Sequence, residues 1–126
     1  METTSVKVGW FEIPVNEMER AMKFYQEVFN TKLARNTLGA LDMAWFPSND
    51  GPGAEGALVH HAEFYEPSLI GTLVYFASEN ITEELSRIEP AGGSVIIPKT
   101  EISAEIGFMA VFKDSEGNRV ALHSKK

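Results

Sequence analysis

Hydrophobic and polar positions alternate along residues 8–15, which puts Phe11, Ile13 and Val15 on one face of a strand and Trp10, Glu12 and Pro14 on the other. The period then changes. Met18, Ala21, Met22, Tyr25, Val28 and Phe29 recur at helical spacing along one stripe, behind an Asn16-x-x-Glu19 capping box. Asn30 is placed to end that helix in a left-handed turn. Strand-like runs follow at "KLARNTL", "LDMAWFP" and "GALVHH", and the Gly-rich "SNDGPGAEG" between the last two reads as a hairpin connection.

The same order of patterns returns in the second half. "TLVYFAS" reads as a strand, residues 80–89 as a helix stopped by Pro90 and the glycines at 92 and 93, and "GSVIIPKT", "IGFMAVFKD" and "NRVALHS" as three further strands. A shift of 63 residues superposes Ile13 on Phe76, Met18 on Ile81, Met22 on Leu85 and Tyr25 on Ile88, so apolar helical positions coincide. Asn80 and Glu83 make a second capping box, one residue out of step with the first. The expected fold class is therefore α+β. Two tandem βαβββ modules, about 5–65 and about 70–124, form one domain over 1–126 as a cupped mixed sheet with helices on its outer face.

Composition narrows the partners. A chain of 126 residues at 44% hydrophobic has enough apolar side chain for one compact core. Eighteen acidic against eleven basic side chains give a formal charge of -7, which disfavours nucleic acid and anionic membrane surfaces and favours neutral or cationic small molecules. With no cysteine, disulfides, thiolate nucleophiles and zinc-cysteine sites are excluded. The N-terminal "METTSVKVGW" lacks the apolar run of a signal peptide, and the expectation is a soluble cytoplasmic protein.

The paired modules, with "FEIPVNEMERAMKFYQEVF" near the start and "FKDSEGNRVALHS" at the end, resemble the vicinal oxygen chelate superfamily. Its members include glyoxalase I, extradiol dioxygenases and bleomycin-resistance proteins, so the fold alone does not choose an activity. The resemblance implies metal ligands on the two first strands and the two last strands, usually His or Gln on the former and Glu on the latter. Those places carry Trp10, Leu73 and Ala121, with Ala57 or Leu58 as the fourth. Indole and hydrocarbon offer a divalent cation no competitive lone pair, so the expected site has no metal and no cofactor.

A displaced site is the alternative, built from Glu12, Tyr75, His123 and His60, each two residues beyond a lost ligand position. It requires the 63-residue register to hold through the last strand, whereas aligning the "AL" pairs of "GALVHH" and "VALHS" needs 64 and turns His61 inward instead. His60 and His61 are adjacent, so on a strand they face opposite ways and do not chelate together. The glycines of "GPGAEG" do not follow a strand and precede a helix, so they are not a phosphate loop.

Alternation assigns the cup lining to Trp10, Glu12 and Pro14, to Leu73, Tyr75 and Ala77, and to Ala121 and His123. Trp10, Glu12, Trp45, Tyr75, Ala121 and His123 are the candidate ligand-binding residues, and the aromatic members suit an organic molecule. The expected function is binding of a small neutral or cationic organic molecule without a catalytic metal. The competing reading is a lyase, isomerase or dioxygenase-type enzyme of the same superfamily, using a displaced metal or Glu12 and His123 as an acid-base pair. The resemblance also implies a homodimer, with the cup formed within one chain or across the interface.

Overall fold

The computed structural model describes residues 2–48 and 55–126. Strand β1 (Trp10–Pro14), helix α1 (Met18–Phe29) and strands β2 (Ala34–Leu38), β3 (Leu41–Trp45) and β4 (Glu55–His60) form the first module. The second repeats it as β5 (Val74–Ala77), α2 (Ile81–Ala91), β6 (Ser94–Ser103), β7 (Gly107–Lys113) and β8 (Arg119–Ser124). The hairpin connection expected over 48–56 lies outside the described residues except at its ends. Among the described residues no helix is long and apolar enough to cross a membrane.

The two sheets have the same topology. Strand order is β1-β4-β3-β2 in one and β5-β8-β7-β6 in the other, with the first strand of each module parallel to the last and the remaining pairs antiparallel. This is the α+β architecture of two tandem βαβββ modules. Each helix packs against its own sheet, α1 on β3 and β4 and α2 on β6, β7 and β8, and the two helices also pack on each other. One core therefore spans both modules: Ile13, Val15, Phe24, Tyr25 and Val28 share it with Ile81, Ile88, Phe112, Val120 and Leu122. Complete burial of side chains such as Phe24, Tyr25 and Phe112 contributes about 1.5–3 kcal/mol for each large apolar group. Phe11, Phe29 and Phe46 meet Phe76 of the other module at centroid separations of 5.6, 4.8 and 5.3 Å.

Polar contacts reinforce that junction through the turn between β7 and β8. The Glu116 carboxylate accepts the backbone N–H groups of Asn16 and Glu17 at 2.9 and 2.8 Å and the Arg20 guanidinium at 2.6 and 3.0 Å. Asp114, 2% exposed, accepts the Tyr25 hydroxyl at 2.6 Å and the backbone N–H groups of Glu116 and Asn118. The Asn118 amide in turn donates to the Pro14 carbonyl at 2.7 Å. These contacts fix where β1 ends and α1 begins.

They also explain a difference from the sequence reading. The N-cap of α1 is Glu17, whose carboxylate accepts the Arg20 N–H, and not Asn16. A carboxylate about 100 residues away in the chain holds the amides of Asn16 and Glu17, and a local capping pattern carries no trace of it. Asn80 caps α2 as expected, with its side chain accepting the Thr82 N–H, but its own N–H is taken by the Ser78 hydroxyl rather than by Glu83. Asn30 is left-handed at φ 51°, as its place in the sequence suggested. Pro90 does not stop α2, which runs through it to Ala91 before Gly92 turns left-handed. In the last turn a proline costs one hydrogen bond, to the carbonyl of solvent-exposed Ser86, rather than the middle of a buried ladder.

Candidate functional site

On the face of the first sheet away from the helix, ladder register places Glu12 beside Ala57 and Ala57 beside Trp45. Trp10, two residues before Glu12 on the same face, meets Trp45 edge-on at 5.3 Å between ring centroids. The Trp10 indole N–H donates to one oxygen of Glu12 at 3.2 Å, and the Tyr65 hydroxyl donates to the other at 2.5 Å. Donating that bond to Glu12 favours the protonated phenol, so Tyr65 titrates above the ordinary tyrosine range. The Tyr65 ring packs on a small cluster of Met43, Ala57 and Val59, with Leu41 at its margin.

The second sheet presents a plainer face. Tyr75 lies beside Ala121, and Ala77 beside His123. Tyr75 is half exposed and Ala121 fully buried. His123 directs Nε2 to the Ile106 carbonyl at 2.7 Å; a carbonyl only accepts, so the proton sits on Nε2.

Between the first strands of the two modules opens a cleft of about 970 Å³, lined among others by Val8, Trp10, Glu12, Leu73, Tyr75 and Ala77. A smaller cavity of about 160 Å³ adjoins it at Glu12 and is bounded by Glu66, Ser68 and Arg119. Of the residues singled out from sequence, the structure thus gathers Trp10, Glu12 and Tyr75 around one opening, with Trp45 behind Trp10. Ala121 and His123 sit in the neighbouring strand of the second sheet. The hydrogen bonds of Glu12 run to Trp10 and Tyr65 and that of His123 to Ile106, so these two are not joined to each other.

Tyr65 is the residue that sequence reading missed. It stands in the linker between the modules, where no period of two or 3.6 operates, and the aromatic pair in "EFYEP" carries no signal of which ring turns inward.

The register also settles the histidines. Glu12 pairs with Ala57 and Tyr75, its repeat, pairs with Ala121, so the last strands correspond at a shift of 64 rather than 63. His60 accordingly turns to the core side, its Nδ1 meeting the Val15 carbonyl at 2.9 Å, and it cannot join Glu12, Tyr75 and His123 in a displaced metal site. Among the described residues no three His, Asp or Glu side chains converge as metal ligands would. At the ligand positions implied by the resemblance, Ala57 and Ala121 are methyl groups without exposure, and Trp10 turns an N–H donor to Glu12. That set does not fit a divalent ion.

The profile of the Glyoxalase/Bleomycin resistance protein/Dioxygenase superfamily matches residues 7–122. The chain belongs to this superfamily. A glyoxylase-like domain-containing protein of Didymella fabae is 24% identical over 119 residues, spanning 92% of this chain and 91% of its own. TnmS3, an antibiotic-binding protein from Streptomyces sp. CB03234, superposes with a TM-score of 0.71 at 23% identity, over 99% of this chain and all of that one. Glyoxalase I from Zea mays superposes at 0.68 with 15% identity, and this chain spans 45% of the maize enzyme's length. Superfamily membership and the superpositions agree on the paired-module fold. They leave the chemistry of the site to the residues that line it.

Proposed function

We propose that this superfamily member binds a small neutral or cationic organic molecule in the cleft between its first strands, without a metal at the position where relatives hold one. The observation that carries the reading is a carboxylate set among partly exposed aromatic rings: Glu12, held by Trp10 and Tyr65, with Tyr75 across the opening. Rings supply apolar contact and stacking, and an oriented carboxylate selects a donor or a cation. Each well-placed cation over a ring contributes about 0.5–2 kcal/mol, and the formal charge of -7 adds long-range attraction. Antibiotic binding by TnmS3, which matches this chain end to end, supports the same class of role.

The protein acts in this reading as a cytoplasmic homodimer. Trp45, Tyr75, Ile97 and Ile106 are each more than a third exposed on the sheets and the β6–β7 turn, apolar surface that a second copy would cover. Sedimentation at micromolar concentration is expected to give about twice the chain mass of 13.9 kDa, and a 13.9 kDa species alone would remove the dimer.

The binding reading is tested with a panel of aromatic cations and neutral aromatics, followed by thermal shift and by emission of Trp10 and Trp45, the chain's two tryptophans. At least one class should raise the melting temperature and change the emission, and Trp10→Ala should weaken it about tenfold, as loss of a stacking aromatic does. No shift with any compound at millimolar concentration would sink the reading.

A further inference from the structure

The inner face of the first sheet already holds an aromatic molecule of a kind, because Tyr65 lies there. Its ring covers Met43, Ala57 and Val59, and its hydroxyl donates to Glu12. Yet Tyr65 belongs to no strand or helix. It sits in the segment 61–73, and residues 62–64 and 66 beside it are exposed, Phe64 at 78%. The segment is tied down at its two ends. His61 accepts the Glu63 N–H at one, while Ser68 and Gly71 bond to Asn118 and Arg119 at the other. Between Glu63 and Ser68, among the described residues, the one side-chain hydrogen bond is that of Tyr65 to Glu12.

The open cleft reaches Glu12, and on the inner face of the sheet the Tyr65 hydroxyl donates to the same carboxylate. Glu12 therefore lines an aromatic-lined cleft and also accepts a phenol that is carried on a linker and packed on Met43, Ala57 and Val59. We propose that this inner face is a phenol-binding site with Tyr65 as its tethered occupant, and that the ligand carries a hydroxyaromatic group which displaces Tyr65 and donates its O–H to Glu12. The inference rests on the binding reading above and narrows it to a chemical class. Tyr65 is then a specificity residue: a ligand without a hydroxyl must break the bond to Glu12 and offers no replacement, whereas a phenol restores it.

p-Cresol, which is the tyrosine side chain itself, and toluene, which lacks the hydroxyl, are the probes, with emission of Trp10 and Trp45 as the readout. In the full chain carrying Tyr65→Ala, p-cresol should bind about tenfold more tightly than to the unaltered protein and about tenfold more tightly than toluene, the scale of one hydrogen bond to a charged acceptor. Adding Glu12→Gln should shrink the preference for p-cresol over toluene to about threefold or less.

Equal p-cresol affinity with and without Tyr65, or no preference over toluene in Tyr65→Ala, would overturn the proposal. Should Tyr65→Ala fail to melt cooperatively, Tyr65→Phe keeps the ring packed and frees the carboxylate. It should bind p-cresol about threefold more tightly than the unaltered chain, and unchanged or weaker binding overturns the proposal equally. Selective capture of p-cresol by Tyr65→Ala while the whole compound panel fails on the unaltered chain would support this site and sink the broader reading. Panel binding that is indifferent to Tyr65 and to ligand hydroxyls would do the reverse.

Discussion

Glu116 and Glu12 are both carboxylates drawn away from bulk solvent, yet they do different work. Glu116 is 8% exposed and accepts two backbone N–H groups, both ends of a guanidinium and the Ser115 hydroxyl. Those donors are parts of the fold, and α1 cannot start where it does without them. Among the described residues Glu12 accepts two side-chain donors, one from its own strand and one from a linker, and it lines the cleft. What distinguishes a structural carboxylate from a candidate binding carboxylate here is whether its donors can leave without the backbone moving. The pattern of acidic residues along the chain does not separate the two.

The sharpest break in that comparison comes at the hairpin. Asp114→Ala removes the acceptor of the Tyr25 hydroxyl and of two backbone N–H groups in a site that is 2% exposed, leaving them unsatisfied. Urea denaturation should show a loss of about 3–5 kcal/mol, and a loss below about 1 kcal/mol would mean that the hairpin does not lock the modules. Glu116→Gln retains an acceptor oxygen but loses the charge facing Arg20, whose side chain is 54% exposed, so about 1–2 kcal/mol is expected by the same measurement.

The same carboxylate gives a pH signature. Burial alone would raise the Glu116 pKa, but the Arg20 hydrogen bond and the backbone donors together prevail and hold it below the ordinary 4.5. A depressed carboxyl contributes stability that is present above its unfolded value and is lost as pH falls through its folded value. Stability of the unaltered chain should thus decline below about pH 4.5, and Glu116→Gln should decline less steeply over that range. Parallel slopes would remove Glu116 from the acid response.

At Glu12 the effect on folding should be the smallest of the set. Glu12→Gln keeps an acceptor oxygen for one of the two donors, Trp10 or Tyr65, at a site that is only part-buried, and a change in stability of at most about 1 kcal/mol is expected. Binding of an aromatic cation should weaken about tenfold in the same variant, read by emission of Trp10 and Trp45. A large stability loss with intact binding would make Glu12 a second Glu116.

Much of the fold was legible because burial imposes periods. The alternation through Phe11, Ile13 and Val15 and the helical stripe from Met18 to Phe29 both reach one core, and their repeat at Phe76, Ile81 and Ile88 reaches it from the other module. The candidate site was legible only where the same alternation exposes a face, and Trp10, Glu12 and Tyr75 line one cleft. Asn16 lost its capping role to Glu17, and His60 turned away from the inner face, for reasons that lie 45 or more residues distant in the chain.

By itself the sequence determined the duplicated βαβββ order, the absence of thiol chemistry, the acidic charge and the lack of metal donors at the four inherited positions, because residue type and local period suffice for each. Tertiary structure alone decided that the helices share one core, that the last strands correspond at 64 residues, that Glu116 holds the amides of Asn16 and Glu17 ahead of α1, and that Tyr65 lies on Glu12. Those depend on contacts between segments far apart in the chain, and a side chain's partner across such a gap is set by packing of the whole sheet rather than by its neighbours in sequence.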